Sequence, residues 1–446
     1  MSEQRGRLAL IRTNSEFRFL FVATAGSAVG TYLAALVLSV HIFDETGSGR
    51  WLAGLLLADF LPIVVIGLTL GPLVDRLSRR RLMVGADLVR AATFCALPFV
   101  DDPATIVVLA GVNGVATGFF RPAVWAGLPN LVDPTEREQA TSLLSTVEHI
   151  AWMVGPIVAG LLISFSGPDP AYWFNAISFF GSALLISRIA SSSLQSSEPL
   201  TRGHWRDVRD GFGVVVRERP LLTVLLVWNM AAMATAGVNV AEVVFVKDDL
   251  GAGNIGLGFL VGATGVGLIV GSFFASFVLG TIGMRFVYGG SLALMGLGFG
   301  AAAFAPSLVV AAVLAALATV GNGCAIVCNQ VLVQRGAPDE MRGRALSVLM
   351  STYYATLGLA MAGAGLLVDA AGARATWAVA GGIYLAASVV AMVLTRKLRR
   401  EAVSEATDDV GVARLQLLLE DIDETRRREY ERPPRKLPYL PRSKSS

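Results

Sequence analysis

Long blocks of apolar residues recur along the whole chain, and they constrain its fold more than any other feature. Each block is close to the span of a bilayer core and lacks the period-two alternation of a β-strand. Because every backbone amide in hydrocarbon must be satisfied internally, such blocks predict transmembrane helices. Of the 446 residues, 54% are hydrophobic and 16% are charged, which leaves too little polar surface for a water-soluble monomer. The sequence therefore predicts an all-α integral membrane protein.

Twelve spans are predicted, in two groups of six separated by a polar linker. They cover residues 17–43, 51–74, 82–100, 104–126, 140–165 and 171–189, then 221–246, 255–279, 286–305, 308–331, 345–367 and 375–394. The predicted domains are an N-terminal segment (1–16), a first half (17–189), a linker (190–220), a second half (221–395) and a charged tail (396–446). Apolar residues at helical spacing predict an amphipathic helix in the tail. The alternative is a solvated tail without a specific partner.

Arginine is concentrated at alternate ends of these spans. If the N-terminus lies inside, the inner segments exceed the outer loops in Lys and Arg by roughly six to one, and such residues favour the cytoplasmic side. The outer loops then hold only Arg50, Lys247 and Arg374. The sequence predicts a multi-pass protein of the cell membrane whose termini and linker are cytoplasmic. No cleavable signal precedes the first span.

The two halves are related by an internal repeat. An offset of about 205 residues places similar residues in the fifth and eleventh spans, as expected for a transporter built from two related halves. The matched pairs are Ser142 with Ser347, Gly160 with Gly365, and Gly167 with Gly372. We therefore expect two pseudo-symmetric bundles of six helices.

The loop after the second span, 71–81, reads Gly-Pro-Leu-Val-Asp-Arg-Leu-Ser-Arg-Arg-Arg. It resembles motif A of the major facilitator superfamily, except that Ser78 stands where the family prefers glycine. The resemblance implies a conformational latch in which Asp75 and Arg76 hold the two halves together on the cytoplasmic side. The residues assigned to this latch are Gly71, Asp75, Arg76, Arg79 and Arg80. The alternative is a basic loop that only sets orientation.

The fifth span contains a Gly-Pro sequence that is expected to bend its helix. Gly155, Pro156 and Gly160 resemble motif C, which is associated with antiporters of the superfamily, although Ala159 replaces one glycine. Proline bends a membrane helix and glycine allows close packing. The resemblance implies export.

Further segments resemble one branch of the superfamily, the drug:proton antiporter 3 family, which includes macrolide-efflux and enterobactin-exporter proteins. They read Asp87-Leu-Val-Arg90-Ala, then Phe-Phe-Arg121-Pro-Ala, then Leu128-Pro-Asn-Leu-Val. The arginine usual in motif B is missing before the glycines of the fourth span, and Arg121 follows them instead. The resemblance covers the twelve spans and leaves out the tail.

Ionisable residues inside spans are candidates for function because burying them is costly. Asp59, Glu148 and Glu242 are the predicted proton-coupling residues. The alternatives are a static ion pair of Glu148 with Arg121, a carboxylate at Asp59 that faces water without titrating, and an interfacial Glu242. Other polar residues within spans are candidates for a substrate cavity, namely Tyr32, Asn229, Asn239, Asn329 and Gln330.

No phosphate-binding loop, metal-ligand cluster or nucleophile elbow is found in the sequence, so we expect neither an enzyme nor a cofactor. The predicted function is proton-coupled efflux of a hydrophobic or amphiphilic molecule, such as a drug, macrolide or siderophore, by alternating access. The expected partners are that substrate, protons and the lipid bilayer, without nucleic acid, and we expect a monomer. Two alternatives stay open: a lipid or lysolipid flippase of the same fold, and a non-transporting membrane sensor or scaffold.

Overall fold

The computed structural model describes residues 9–69, 77–195, 204–338 and 341–396, and this part of the chain is helical without any strand. The predicted amphipathic helix of the tail lies outside it. The helices are α1 (Ala9–Thr13), α2 (Ser15–Thr46), α3 (Gly49–Thr69), α4 (Arg79–Ala96), α5 (Pro103–Leu131), α6 (Arg137–Ser166), α7 (Asp169–Ser187), α8 (Ser191–Leu194), α9 (His204–Arg217), α10 (Arg219–Val244), α11 (Gly253–Ile282), α12 (Met284–Ala302), α13 (Leu308–Gly336) and α14 (Arg342–Leu394).

The predicted all-α membrane fold is confirmed. Among the described residues, nine helices are long and apolar enough to cross a membrane, with α14 counted once. Helices α7 and α12 occupy the sixth and ninth predicted spans with 19 residues each, but they are not among the nine. Large apolar side chains cover the outside of the bundle: Phe165 is 80% exposed, Phe277 76% and Leu359 80%. Such a surface suits lipid.

The helices begin and end at residues that satisfy their free backbone groups. Asn14 caps α2 by accepting a hydrogen bond from the backbone N–H of Phe17, and Gly47 ends the same helix in the left-handed region with φ 58°. Asp102 caps α5, and the hydroxyl and backbone N–H of Thr105 both donate to it. These two bonds hold the pKa of the Asp102 carboxyl below its usual range.

The membrane helices pack as two bundles. In the first bundle, α2 packs on α6 and α7, α4 on α5 and α7, and α3 on α5. In the second bundle, α10 packs on α14, α11 on α13, and α12 on both α13 and α14. The bundles meet mainly through two helix pairs, α3 with α14 and α6 with α11. Helix α10 also contacts α2 and α3 across the space between the bundles.

Each bundle has two ends, which are named here by their residues. The basic end carries Arg79, Arg219 and Arg342, and α2, α4, α6, α10, α12 and α14 begin there. The other end is named the Asp369 end, and α3, α5, α7, α11 and α13 begin there.

Helix α14 contains both the eleventh and the twelfth predicted span. Its backbone leaves helical geometry only at Gly372, where φ is 84°. At the matching position of the repeat, Gly167 ends α6 with φ 75°. Both values are costly for a residue with a Cβ, so the repeat recorded in the sequence marks equivalent turns in the two bundles.

Candidate functional site

A buried ion pair lies inside the first bundle. Asp87 and Arg90, one turn apart on α4, are 0% and 3% exposed, with 3.2 Å between Arg90 Nη1 and Asp87 Oδ1. The second terminal nitrogen of Arg90 donates to Thr31 Oγ1 on α2 at 2.9 Å. The guanidinium carbon lies 3.7 Å from the ring centre of Phe179 on α7. Arg90 is therefore held by three helices through an ion pair, a hydrogen bond and a cation–π contact.

Asp59 lies in the middle of α3, close to this pair. Its Oδ1 accepts a hydrogen bond from Asn113 Nδ2 on α5 at 2.7 Å, and Arg90 acts on it electrostatically. A Cβ added to Gly114 would lie 2.1 Å from the backbone oxygen of Asp59. Glycine at 114 is thus what lets α3 and α5 approach closely enough for the Asp59–Asn113 bond.

Arg121 on α5 and Glu148 on α6 form the ion pair that the sequence suggested. Arg121 Nη2 lies 3.3 Å from Glu148 Oε2, and the two side chains are 45% and 25% exposed. Tyr32 on α2 interacts electrostatically with both, and also with Tyr354 of the second bundle. These residues therefore border the space between the bundles.

An aromatic group crosses that space. Phe60 on α3 and Tyr354 on α14 meet edge to face with ring centres 5.2 Å apart. Tyr353 contacts Tyr354 at 5.4 Å and Trp228 on α10 at 5.2 Å. Beside Trp228, the Asn229 side chain donates to the Leu225 carbonyl oxygen at 2.7 Å and accepts from the Thr356 hydroxyl. Asn229 is thus a predicted cavity residue that lies next to the aromatic group.

The other predicted cavity and coupling residues are not brought together. Asn239 and Gln330 are exposed. Asn329 is buried inside the second bundle, where it accepts a 2.6 Å hydrogen bond from the Tyr288 hydroxyl. Glu242 is half-buried near the Asp369 end of α10, and it has no ion-pair or hydrogen-bond partner within the described residues.

Of the five predicted motif A residues, the structure describes two, Arg79 and Arg80. Gly71, Asp75 and Arg76 lie outside the described residues. Arg79 Nη1 donates to the carbonyl oxygens of Ala126 and Leu194, at 3.0 and 2.8 Å. Arg80 Nη1 donates to the Ile189 carbonyl oxygen at 3.1 Å. These contacts fasten α4 to neighbouring segments of its own bundle at the basic end.

The motif C glycines lie at close contacts of α6 with α2 and with α11. A Cβ on Gly155 would be 2.9 Å from the Cβ of Tyr32 on α2. A Cβ on Gly160 would be 2.7 Å from the Asn254 oxygen and 3.0 Å from the Cα of Gly258 on α11. Gly155 therefore allows close packing inside the first bundle, whereas Gly160 allows close packing between the two bundles.

At the Asp369 end, one carboxylate of the second bundle binds the N-terminus of α3. The backbone N–H of Gly49 donates to Asp369 Oδ1 at 2.6 Å. The Arg50 side chain donates to Oδ2 at 2.6 Å, and the Ser48 hydroxyl does so at 3.1 Å. A helix N-terminus has unpaired N–H groups and the positive end of the helix dipole. This set of bonds, named the Asp369 contact, joins the two bundles.

The remaining cations predicted for the outer loops are also paired. Lys247, after α10, binds Asp44 on α2 and so forms a second link between the bundles. Arg374 lies 3.5 Å from Asp249 and donates to the carbonyl oxygens of Ala303 and Ala305, all in the second bundle. Sequence reasoning identified the cations but not their acidic partners, which are distant in the chain.

An apolar cavity of about 850 Å³ lies on the first bundle among α3, α4 and α5. Its walls include Leu61, Val89 and Val112, which are 48%, 44% and 38% exposed. Arg81 is the charged residue of its lining and marks its basic end. The cavity is therefore separate from the space between the bundles.

Asp87 and Arg90 are the functional candidates that sequence reasoning missed. They were noted only as part of a family resemblance, although an acid and a base three residues apart inside a predicted span were a sufficient signal. Within the described residues, no group of three His, Cys, Asp or Glu side chains is placed to hold a metal.

Comparison with known proteins gives one family over nearly the whole chain. A family model described as "Transmembrane secretion effector" matches residues 6–426. A transporter of Bacillus subtilis strain 168, YfiS, is 24% identical over 86% of this chain and 94% of its own length. The multidrug efflux pump Tap of Mycolicibacterium fortuitum is 28% identical over 88% and 97%. Macrolide efflux protein A of Streptococcus pyogenes is 28% identical over 46% and 53%.

Solved structures share the fold at low sequence identity. The peptide transporter PepTSo superimposes with a TM-score of 0.70 over 86% of this chain and 98% of its own, at 11% identity. A bacterial homologue of the iron transporter ferroportin, in its inward-facing state, gives 0.66 over 86% and 98%, at 15% identity. At this identity the likeness shows the fold alone.

Proposed function

Because the chain belongs to the transmembrane secretion effector family of the major facilitator superfamily, we propose that this transporter exports a hydrophobic or amphiphilic small molecule in exchange for protons. Two of the relatives bear names that state multidrug or macrolide efflux. The proposal carries that substrate class over to this chain.

The observation that carries the proposal is the unequal pairing of the interior acids. Asp87 and Glu148 each face an arginine at 3.2 and 3.3 Å, whereas Asp59 is bonded to the neutral amide of Asn113. A carboxylate without a direct cationic partner takes up a proton more readily than a paired one. Asp59 is therefore the first candidate for the coupling proton. Glu148 and Glu242 are further candidates: Glu148 is paired with Arg121, and Glu242 lies near the Asp369 end of α10, away from this group.

The contacts between the bundles support alternating access. The Asp369 contact and the Lys247–Asp44 pair join the bundles at one end. Toward the basic end, Glu148 is 25% and Arg121 45% exposed in the space between the bundles. Alternating access requires these contacts at the Asp369 end to break and reform, and with the basic end in the cytoplasm the Asp369 end would face the outside.

The test uses the full chain in proteoliposomes with an imposed pH gradient and the macrolide erythromycin as the probe. We expect gradient-driven transport by the native protein, a loss of at least tenfold in Asp59→Asn, and normal transport in Asp101→Asn, which removes an exposed carboxylate outside the bundle. Proton coupling at Asp59 would be contradicted if transport does not depend on the pH gradient, or if Asp59→Asn transports erythromycin as fast as the native protein.

A second candidate function, a lipid or lysolipid flippase, is favoured by the apolar cavity on the first bundle. An 850 Å³ apolar cavity with Arg81 at one end matches an acyl chain with an anionic headgroup. The test is translocation of a fluorescent lysophospholipid in the same proteoliposomes. The variant Val112→Trp fills the cavity. If the protein is a flippase, this variant should no longer translocate the lipid; if it is a drug exporter of the proposed kind, the variant should still transport erythromycin.

A further inference from the structure

The charges inside the first bundle do not balance. Among the described residues, its interior holds three acids, Asp59, Asp87 and Glu148, and two bases, Arg90 and Arg121. Arg121 and Glu148 neutralise each other beside the space between the bundles. The remaining group of Asp59, Asp87 and Arg90 carries one net negative charge when both acids are ionised. A lone charge in a membrane bundle is costly, so this group is most stable when it holds one proton.

Among the described residues packed around Arg90, the one further charge that acts on it is Arg121, which is paired with Glu148. Helix α2 presents Thr31, and α7 presents Phe179. Helix α5 presents Phe120 at 5.2 Å, and its charged residue Arg121 acts on Arg90 from a distance. Asp59 on α3 and Asp87 on α4 are the acids that act on Arg90. The balance of charge is therefore decided by Asp59, Asp87 and Arg90.

Arg90 is fixed in place yet keeps one donor uncommitted. Its two terminal nitrogens are taken by Asp87 and Thr31. Its Nε is buried and has no hydrogen-bond partner among the described residues. A guanidinium held rigidly on an aromatic face, with a spare donor, presents a constant positive field to a second carboxylate.

We propose that Arg90 and Asp87 are positioning residues for proton coupling: Asp87 neutralises Arg90, and this fixed pair makes Asp59 the site of a single exchangeable proton. The inference rests on the proposed function, because it explains which neighbouring charges set the protonation of the proposed coupling site. Asp87 thus prevents Arg90 from pairing with Asp59, which would otherwise hold Asp59 permanently ionised.

Removing the charge of Asp87 or that of Arg90 should shift the protonation of Asp59 in opposite directions. In Asp87→Asn, Arg90 and Asp59 balance without a proton, so protonation of Asp59 shifts to lower pH by about one to three units. In Arg90→Gln, two acids remain without a base, and protonation shifts to higher pH by a similar amount. The double variant removes both members of the pair and returns the midpoint toward that of the native protein. Arg90→Lys keeps the charge and controls for lost packing.

The readout is the infrared absorption of the protonated carboxyl of the purified full chain, titrated with pH and assigned by its absence in Asp59→Asn. This needs no substrate, and size-exclusion chromatography reports folding. The inference is overturned if the pH at which Asp59 is half protonated is the same in the native protein, in Arg90→Gln and in the double variant. This comparison stands even if Asp87→Asn does not fold. Erythromycin transport by the native protein in the pH gradient is measured separately, so failure of the proposed function is distinguished from failure of the charge balance.

Discussion

Loss of the Asp369 carboxylate should open the end of the protein where the bundles are joined. In Asp369→Ala, the hydrogen bond from the backbone N–H of Gly49 and the ion pair with Arg50 both disappear. The bond from a helix N-terminus to a carboxylate contributes about 1.5 kcal/mol. The Arg50 side chain is 68% exposed, so its pair with Asp369 adds only about 0.5 kcal/mol. The sum of about 2 kcal/mol corresponds to a roughly 30-fold shift toward the open arrangement.

The assay is pulsed electron paramagnetic resonance between spin labels on cysteines that replace Phe165 and Phe304, which are 80% and 76% exposed. Cys95, the native cysteine that is not buried, is first replaced by serine. We expect a longer distance to become dominant in Asp369→Ala. The matched control Arg50→Gln removes only the exposed cation and should shift the populations less than fivefold. The reasoning is refuted if Arg50→Gln opens the protein as much as Asp369→Ala, or if neither variant changes the distances.

Two further predictions concern helix packing. Gly160→Leu places a side chain against Gly258 on α11, so the bundles should no longer close at the Asp369 end and transport should fall at least tenfold. Gly181→Leu places its side chain in open space and should transport normally. A loss of transport in this control would contradict the explanation by close packing. Arg374→Met breaks the bonds to the Ala303 and Ala305 carbonyl oxygens and should destabilise the protein by about 1–3 kcal/mol. Thermal unfolding in detergent measures this, and an unchanged midpoint would show that these bonds contribute little.

The helices could be predicted from the sequence because their signals are local. Apolar blocks of bilayer length give the helices, and Asn14 and Asp102 are polar caps beside such blocks. The repeat paired Gly167 with Gly372, and the structure places both at turns whose left-handed backbone favours glycine. The break between the eleventh and twelfth spans is narrower than predicted, because residues 368–374 were expected to lie between them, whereas the backbone leaves helical geometry at Gly372 alone.

The candidate site was predicted only in part. The Arg121–Glu148 pair was anticipated, because both residues lie at the same depth in consecutive spans. Asn329 was expected in the cavity, but it is bound to Tyr288 inside the second bundle. Periodicity does not tell which face of an apolar helix meets the cavity when every face is apolar.

The sequence by itself determined that this chain is a bundle of membrane helices in two related halves, because hydrophobicity and repeats are properties of neighbouring residues. Only the tertiary structure decided which charges meet. Asp369 reaches the N-terminus of α3 across more than 300 residues of chain. The Asp87–Arg90 pair becomes buried only once α5 and α7 pack against α4. Such pairings depend on how distant helices pack, and the energy of a buried charge depends on what surrounds it.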